Sequence, residues 1–68
     1  MRKKLKLFRV GLGMSQEQFS VKIGYSRGQY ARIEHGERNV TLKFLNALCK
    51  AFDMTITEAQ NLTVKDEE

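Results

Sequence analysis

Apolar positions along this chain recur at helical intervals, and no stretch alternates in the way a strand would. Between Arg2 and Val10, Leu5 and Phe8 stand three apart and Leu12 comes four further on, predicting a first helix with one apolar stripe. Phe19 and Ile23 define the inner face of a second helix, Tyr30 and Ile33 that of a third. Leu42, Leu45, Leu48 or Cys49, and Phe52 mark a fourth, and a short fifth runs through Leu62. The fold class this pattern predicts is all-α, five short helices round one core.

The polar residues between these stripes act as starts and stops. Ser15-Gln16-Glu17-Gln18 fits a capping box, in which the Gln18 side chain reaches back to the Ser15 amide. Ser26-Arg27-Gly28-Gln29 repeats the device, and Thr55-Ile56-Thr57-Glu58 does so again. Thr41 is the expected N-cap of the fourth helix. Gly11 and Gly13 end the first helix, while Gly24 and Gly36 stand where left-handed C-terminal residues belong. The connection Gly24-Tyr25-Ser26 is so short that the second and third helices must cross steeply, the geometry of a helix-turn-helix.

At 68 residues the chain is a single domain near the lower limit for a self-sufficient core, and its 41% hydrophobic content argues against disorder. The expected division is a domain over 1–62 and an acidic, frayed tail over 63–68. No apolar run approaches the ~18–20 residues needed to cross a bilayer. Met1-Arg2-Lys3-Lys4 is basic, but Arg9 interrupts the apolar residues beyond it and no small-residue cleavage site comes next, so the expected location is cytoplasmic. One Cys and one His exclude a Cys/His zinc site within one chain. Cys49 reads either as a small apolar packing residue or as a redox-sensing thiol. Residues 1–50 carry 11 Lys and Arg against three acids, +8, whereas residues 51–68 carry Lys65 against five acids, −4. That asymmetry describes a polyanion-binding body with an acidic end, although charge alone also fits an ordinary solvated surface.

The run Met14-Ser15-Gln16-Glu17-Gln18-Phe19-Ser20-Val21-Lys22-Ile23-Gly24-Tyr25-Ser26-Arg27, continued by Ile33-Glu34-His35-Gly36, resembles the XRE/Cro family of lambda-repressor-like helix-turn-helix proteins. Leu5-Lys6-Leu7-Phe8-Arg9 is similar to that family's first helix, and the stretches from Thr41 to Phe52 and from Thr55 to Glu58 to its fourth and fifth. The resemblance covers about residues 2–62. It departs at Ser20, where the family usually has Ala, at Tyr30, where it often has a branched aliphatic residue, and at Val40, where it often has Pro. At Tyr30 the core must either make room for a ring or let the hydroxyl reach solvent. Arg38-Asn39-Val40-Thr41 is similar instead to a variant seen in controller proteins of restriction–modification systems.

The resemblance implies that the N-terminal part of the third helix enters the major groove. Base reading then falls to Arg27 and Arg32, whose forked donors suit guanine O6 and N7, with Gly28 admitting a close approach and Ala31 receiving a thymine methyl. Gln16, Ser26, Gln29, Arg38 and Asn39 become the expected phosphate contacts, with Gln16 also bracing Arg27. Arg9 and Glu34 occupy positions where relatives form a partly buried ion pair, so Glu34 is structural rather than catalytic. His35, near a helix C-terminus, is electrostatically favoured there and has no expected catalytic role. No second His, nucleophile elbow or Gly-rich phosphate loop supports an enzyme, and no cofactor is implied.

The expected function is a transcriptional regulator, a repressor or controller that binds double-stranded DNA as a homodimer on a palindromic operator. Dimer contacts must come from the same helices, with Met54, Ile56 and Leu62 as candidates that read equally as core. A different class of function, an antitoxin or anti-regulator whose main partner is a protein, fits the acidic end. The two are separable, because duplex binding abolished by Arg32→Ala favours the first and protein binding that survives it favours the second.

Overall fold

Each helix begins where a hydroxyl side chain meets a backbone N–H, except the first. In the computed structural model, which describes residues 1–66, α1 spans Lys3–Gly11, α2 Gln16–Ile23, α3 Arg27–His35, α4 Leu42–Phe52 and α5 Ile56–Leu62. There is no strand among the described residues. Ser15, Ser26 and Thr55 each accept from the amide three residues on, and the side chains of Gln18, Gln29 and Glu58 return the bond, so all three capping boxes form. Thr41 caps α4 through the Phe44 amide. These bonds satisfy donors that a helix start would otherwise leave bare.

The stops are equally local. Gly24 and Gly36 take φ of 78° and 83°, and the residues after them, Tyr25 and Glu37, donate back to the Ser20 and Arg32 carbonyls at 2.8 and 2.9 Å. A left-handed residue with a bond five positions back is the Schellman closure. α4 ends the same way on Asp53, at φ 52°, with Met54 donating to Cys49. Asp enters that region more readily than most residues with a Cβ. No glycine advertises this third stop.

α2 packs on both α3 and α4, α4 on α5, and α1 on α3 and α5. The core between them comprises Leu5, Phe19, Ile23, Tyr30, Ile33, Phe44, Leu48 and Ala59. All six aromatic residues join it in one cluster. Phe19 lies 5.0 Å from Phe52 and 4.8 Å from Tyr30, and Tyr25 meets Phe44 edge-on at 5.3 Å. Such offset and edge contacts add to area burial by about 0.5–1.5 kcal/mol each. Within this cluster the core makes room for the Tyr30 ring, and its hydroxyl does not reach solvent.

Three expectations are corrected. Leu12 is exposed, because α1 stops at Gly11 and the chain leaves the helical cylinder before the stripe is extended. Leu42 is also exposed, and Phe44 takes the central place on α4 with Leu48. Leu42 sits two residues before Phe44, about 200° round the axis and so on the far side. The frayed end expected from Thr63 onward is held as far as Asp66. Thr63 is buried, its Oγ1 donates to the Ala59 carbonyl, the Asp66 amide donates to Met1, and Lys3 donates to the Asp66 carboxylate. The fold therefore continues past Leu62, and the tail's remaining acids, Glu67 and Glu68, lie outside the described residues.

Candidate nucleic-acid interface

On a helix advancing about 100° per residue, Arg27, Ala31, Gly28 and Arg32 fall in that order on an arc of about 140°. Ile33, Tyr30 and Glu34 share the opposing arc and are buried. The third helix is thus bolted down by one face while the other meets solvent. Arg27, Gly28 and Arg32 are exposed, and Ala31, inside the arc between Arg27 and Gly28, is half-buried. A Cβ built on Gly28 would meet nothing within 4 Å, so that position is open to an approaching surface.

The flanking polar residues surround the front of α3. Ser26 Oγ accepts from the Gln29 amide, and Gln29 Oε1 accepts from the Ser26 amide. Both caps therefore use acceptors, which leaves the Ser26 hydroxyl proton and the Gln29 NH2 as donors suited to a phosphate. Arg38 and Asn39, in the loop after Gly36, are exposed. Gln16 is half-buried at the start of α2, and its Nε2 donates to Glu34 Oε1 at 3.2 Å. That bond engages only the NH2 end of the Gln16 amide, and its Oε1 keeps its capacity to accept.

Glu34 is the hub behind this surface. Arg9 Nε donates to its Oε2 at 2.9 Å and Arg9 Nη2 to its Oε1 at 3.2 Å, while Arg9 Nη1 donates to the Met14 carbonyl. One carboxylate joins α1, α2 and α3. Burial pushes the Glu34 carboxyl up, but the hydrogen bonds from Arg9 and Gln16 and the attraction of the guanidinium outweigh it and hold the group below the usual carboxylate range. The Tyr30 hydroxyl sits close enough to feel this charge yet has no hydrogen-bond partner of acceptable geometry. Burial, and then the neighbouring carboxylate, push it far above the usual phenol range.

A helix-turn-helix family model matches residues 5–58. The chain belongs to the XRE, lambda-repressor-like helix-turn-helix family. No curated protein and no solved structure matches it. The family is one of DNA-binding regulators, so this chain is a DNA-binding helix-turn-helix regulator with the all-α architecture of the five helices. Among the described residues no helix is long and apolar enough to cross a membrane, and no cluster of His, Cys, Asp or Glu forms a metal site. Cys49 is half-buried against the core.

One buried cation escapes sequence reasoning altogether. Arg2, immediately before α1, is 5% exposed. Its Nε donates to the Thr63 carbonyl at 2.9 Å, and its Nη1 donates to the Ile33 carbonyl at 2.6 Å and the Arg38 carbonyl at 2.9 Å. No spacing rule could have found it, because every acceptor is a main-chain oxygen. Met54 and Leu62, two of the three candidate dimer residues, pack partly buried on the core, whereas Ile56 is exposed.

Proposed function

We propose that this regulator acts as a repressor or controller, binding a roughly palindromic operator as a homodimer. One observation carries the reading: α3 is fixed by Tyr30, Ile33 and Glu34 on one side and presents Arg27, Gly28 and Arg32 on the other. Bidentate bonds from either arginine to guanine O6 and N7 discriminate by about 1–3 kcal/mol each. Ala31, half-buried between Arg27 and Gly28 on the arc, meets a thymine methyl, and Gln16, Ser26, Gln29, Arg38 and Asn39 contact phosphates and set the register. A single such helix touches too few base pairs for useful selectivity. A two-fold pair presents two of them about 34–36 Å apart, one turn of DNA. Ile56, with the exposed edges of Met54 and Leu62, is the pairing surface on this reading.

The test is selection of bound sequences from a random duplex pool, and then salt titration on the selected site. A half-site repeated about one turn away, lost on Arg32→Ala at that base position alone, supports the reading. Binding with no preference among duplexes or over other polyanions, by a folded chain, rejects it.

A further inference from the structure

We propose that Arg2 is a positioning residue for the DNA-backbone contact, holding the loop of Arg38 and Asn39 at a set place beside the end of α3. The inference rests on the DNA-binding role proposed for that loop. Four bonds leave Arg2, and they reach separate parts of the chain: its amide donates to the Glu34 carbonyl at 2.8 Å, and its guanidinium to Ile33, Arg38 and Thr63. The C-terminal ends of α3 and α5 thus point their carbonyl dipoles at one buried cation, the arrangement a helix end favours.

For the loop the consequence is specific. Among the described residues, the bond from Arg2 Nη1 to the Arg38 carbonyl is the only hydrogen bond made by residues 38–40. The loop leaves Gly36 in a left-handed conformation and rejoins at Thr41; between those points Val40 rests its side chain against the core, and the bond from Arg2 is what fixes the backbone at Arg38 itself. The Arg38 carbonyl faces inward to the guanidinium while the Arg38 side chain is exposed. One nitrogen, Nη1, serves both Ile33 and Arg38, so the distance from the last turn of α3 to the loop is set by a rigid planar group. A side chain delivered to a phosphate from a fixed backbone loses less freedom on binding than one on a loose loop.

The experiment is a double-substitution cycle read by salt titration on the selected duplex. In the unsubstituted chain Arg38→Ala weakens binding and lowers the slope of log K against log salt by about one. Arg2→Lys keeps the charge but loses the fork. In that background the same Arg38→Ala is expected to change the slope by roughly half as much or less, with helicity intact by circular dichroism. An undiminished Arg38→Ala effect overturns the proposal and leaves Arg2 a purely structural residue. Backbone 15N relaxation of the unsubstituted free protein tests it without any variant: residues 38–40 as rigid as α3 support it, and order parameters below about 0.6 overturn it. Absence of salt-dependent duplex binding by the unsubstituted chain is a distinct outcome, which removes the DNA reading itself and with it the role assigned to Arg2.

Discussion

Arg9 and Arg2 are both buried, and both bond to the last turn of α3, yet they are accommodated by opposite means. Arg9 meets a carboxylate in a two-pronged ion pair with the Glu34 side chain. Arg2 meets main-chain carbonyls from three segments, two of them ends of helices. At Arg9 charge is cancelled by charge, so removing one partner strands the other in a poor solvent. At Arg2 charge is dispersed over dipoles that the fold supplies anyway, so the acceptors survive any side-chain change and only their common anchor is at stake. The ion pair thus secures the stacking of α1, α2 and α3, whereas the carbonyl cage secures where chain ends and loops lie relative to α3.

The largest expected effect is on the Arg9 side. Glu34→Ala leaves a buried guanidinium without its partner and should cost about 3–5 kcal/mol in urea unfolding, much of the stability of so small a domain. Thermal stability equal to the parent would refute the pairing. The same pair sets an acid limb. Because the folded Glu34 carboxyl titrates below its ordinary value of 4.5, its contribution is complete above that value and is lost as pH falls through the lower folded one. Glu58, lowered by its bonds with Thr55, adds a share of the same sign. Glu34→Gln should shrink that limb when unfolding midpoints are compared across acid pH.

The Arg2 side is sharpened by two glycines with one conformation and different surroundings. Gly24 and Gly36 are both left-handed, which costs an L side chain about 1–2 kcal/mol. A Cβ on Gly24 would meet nothing within 4 Å, whereas one on Gly36 would come within 3.0 Å of the Met1 main-chain nitrogen and of Lys65 Cε. Gly36→Ala should therefore destabilise by about 1 kcal/mol more than Gly24→Ala, through overpacking against the terminal segments. Equal losses in denaturant melts would show that the segments round Arg2 yield freely.

The smallest effect has the opposite sign. The Tyr30 hydroxyl is buried beside the ion pair without a hydrogen bond. An unsatisfied buried hydroxyl costs about 1–3 kcal/mol, so Tyr30→Phe should be neutral or raise the unfolding free energy by up to about 1 kcal/mol. A clear loss of stability would mean that the hydroxyl does bond Glu34, making the pair a triad.

Much of this molecule is legible in its sequence. Capping boxes and glycine stops are encoded within a few residues, and Ser15, Ser26, Thr55, Gly24 and Gly36 all act where their spacing predicts. The Arg9–Glu34 pair was legible by family resemblance, because both partners are side chains with fixed positions in a motif. The exposed front of α3 came from periodicity once Tyr30 and Ile33 were placed inside. Leu42 lies outside the core and Phe44 inside because several apolar residues crowd α4, and only its packing on α2 and α5 selects the face. Asp53 ends that helix without the usual glycine, and Gln16 turns to Glu34 because a carboxylate happens to lie within reach.

By itself the sequence determined the helices, most of their ends, the family and the cationic front of α3, since each depends on residues close together in the chain or on a shared motif. The tertiary structure alone decided what happens to Arg2, Thr63 and Asp66, whose partners are separated from them by tens of residues. The physical reason is that a carbonyl oxygen is the same on every residue. Which carbonyls converge on a guanidinium is a property of how helices stack, and it leaves no mark in the order of side chains.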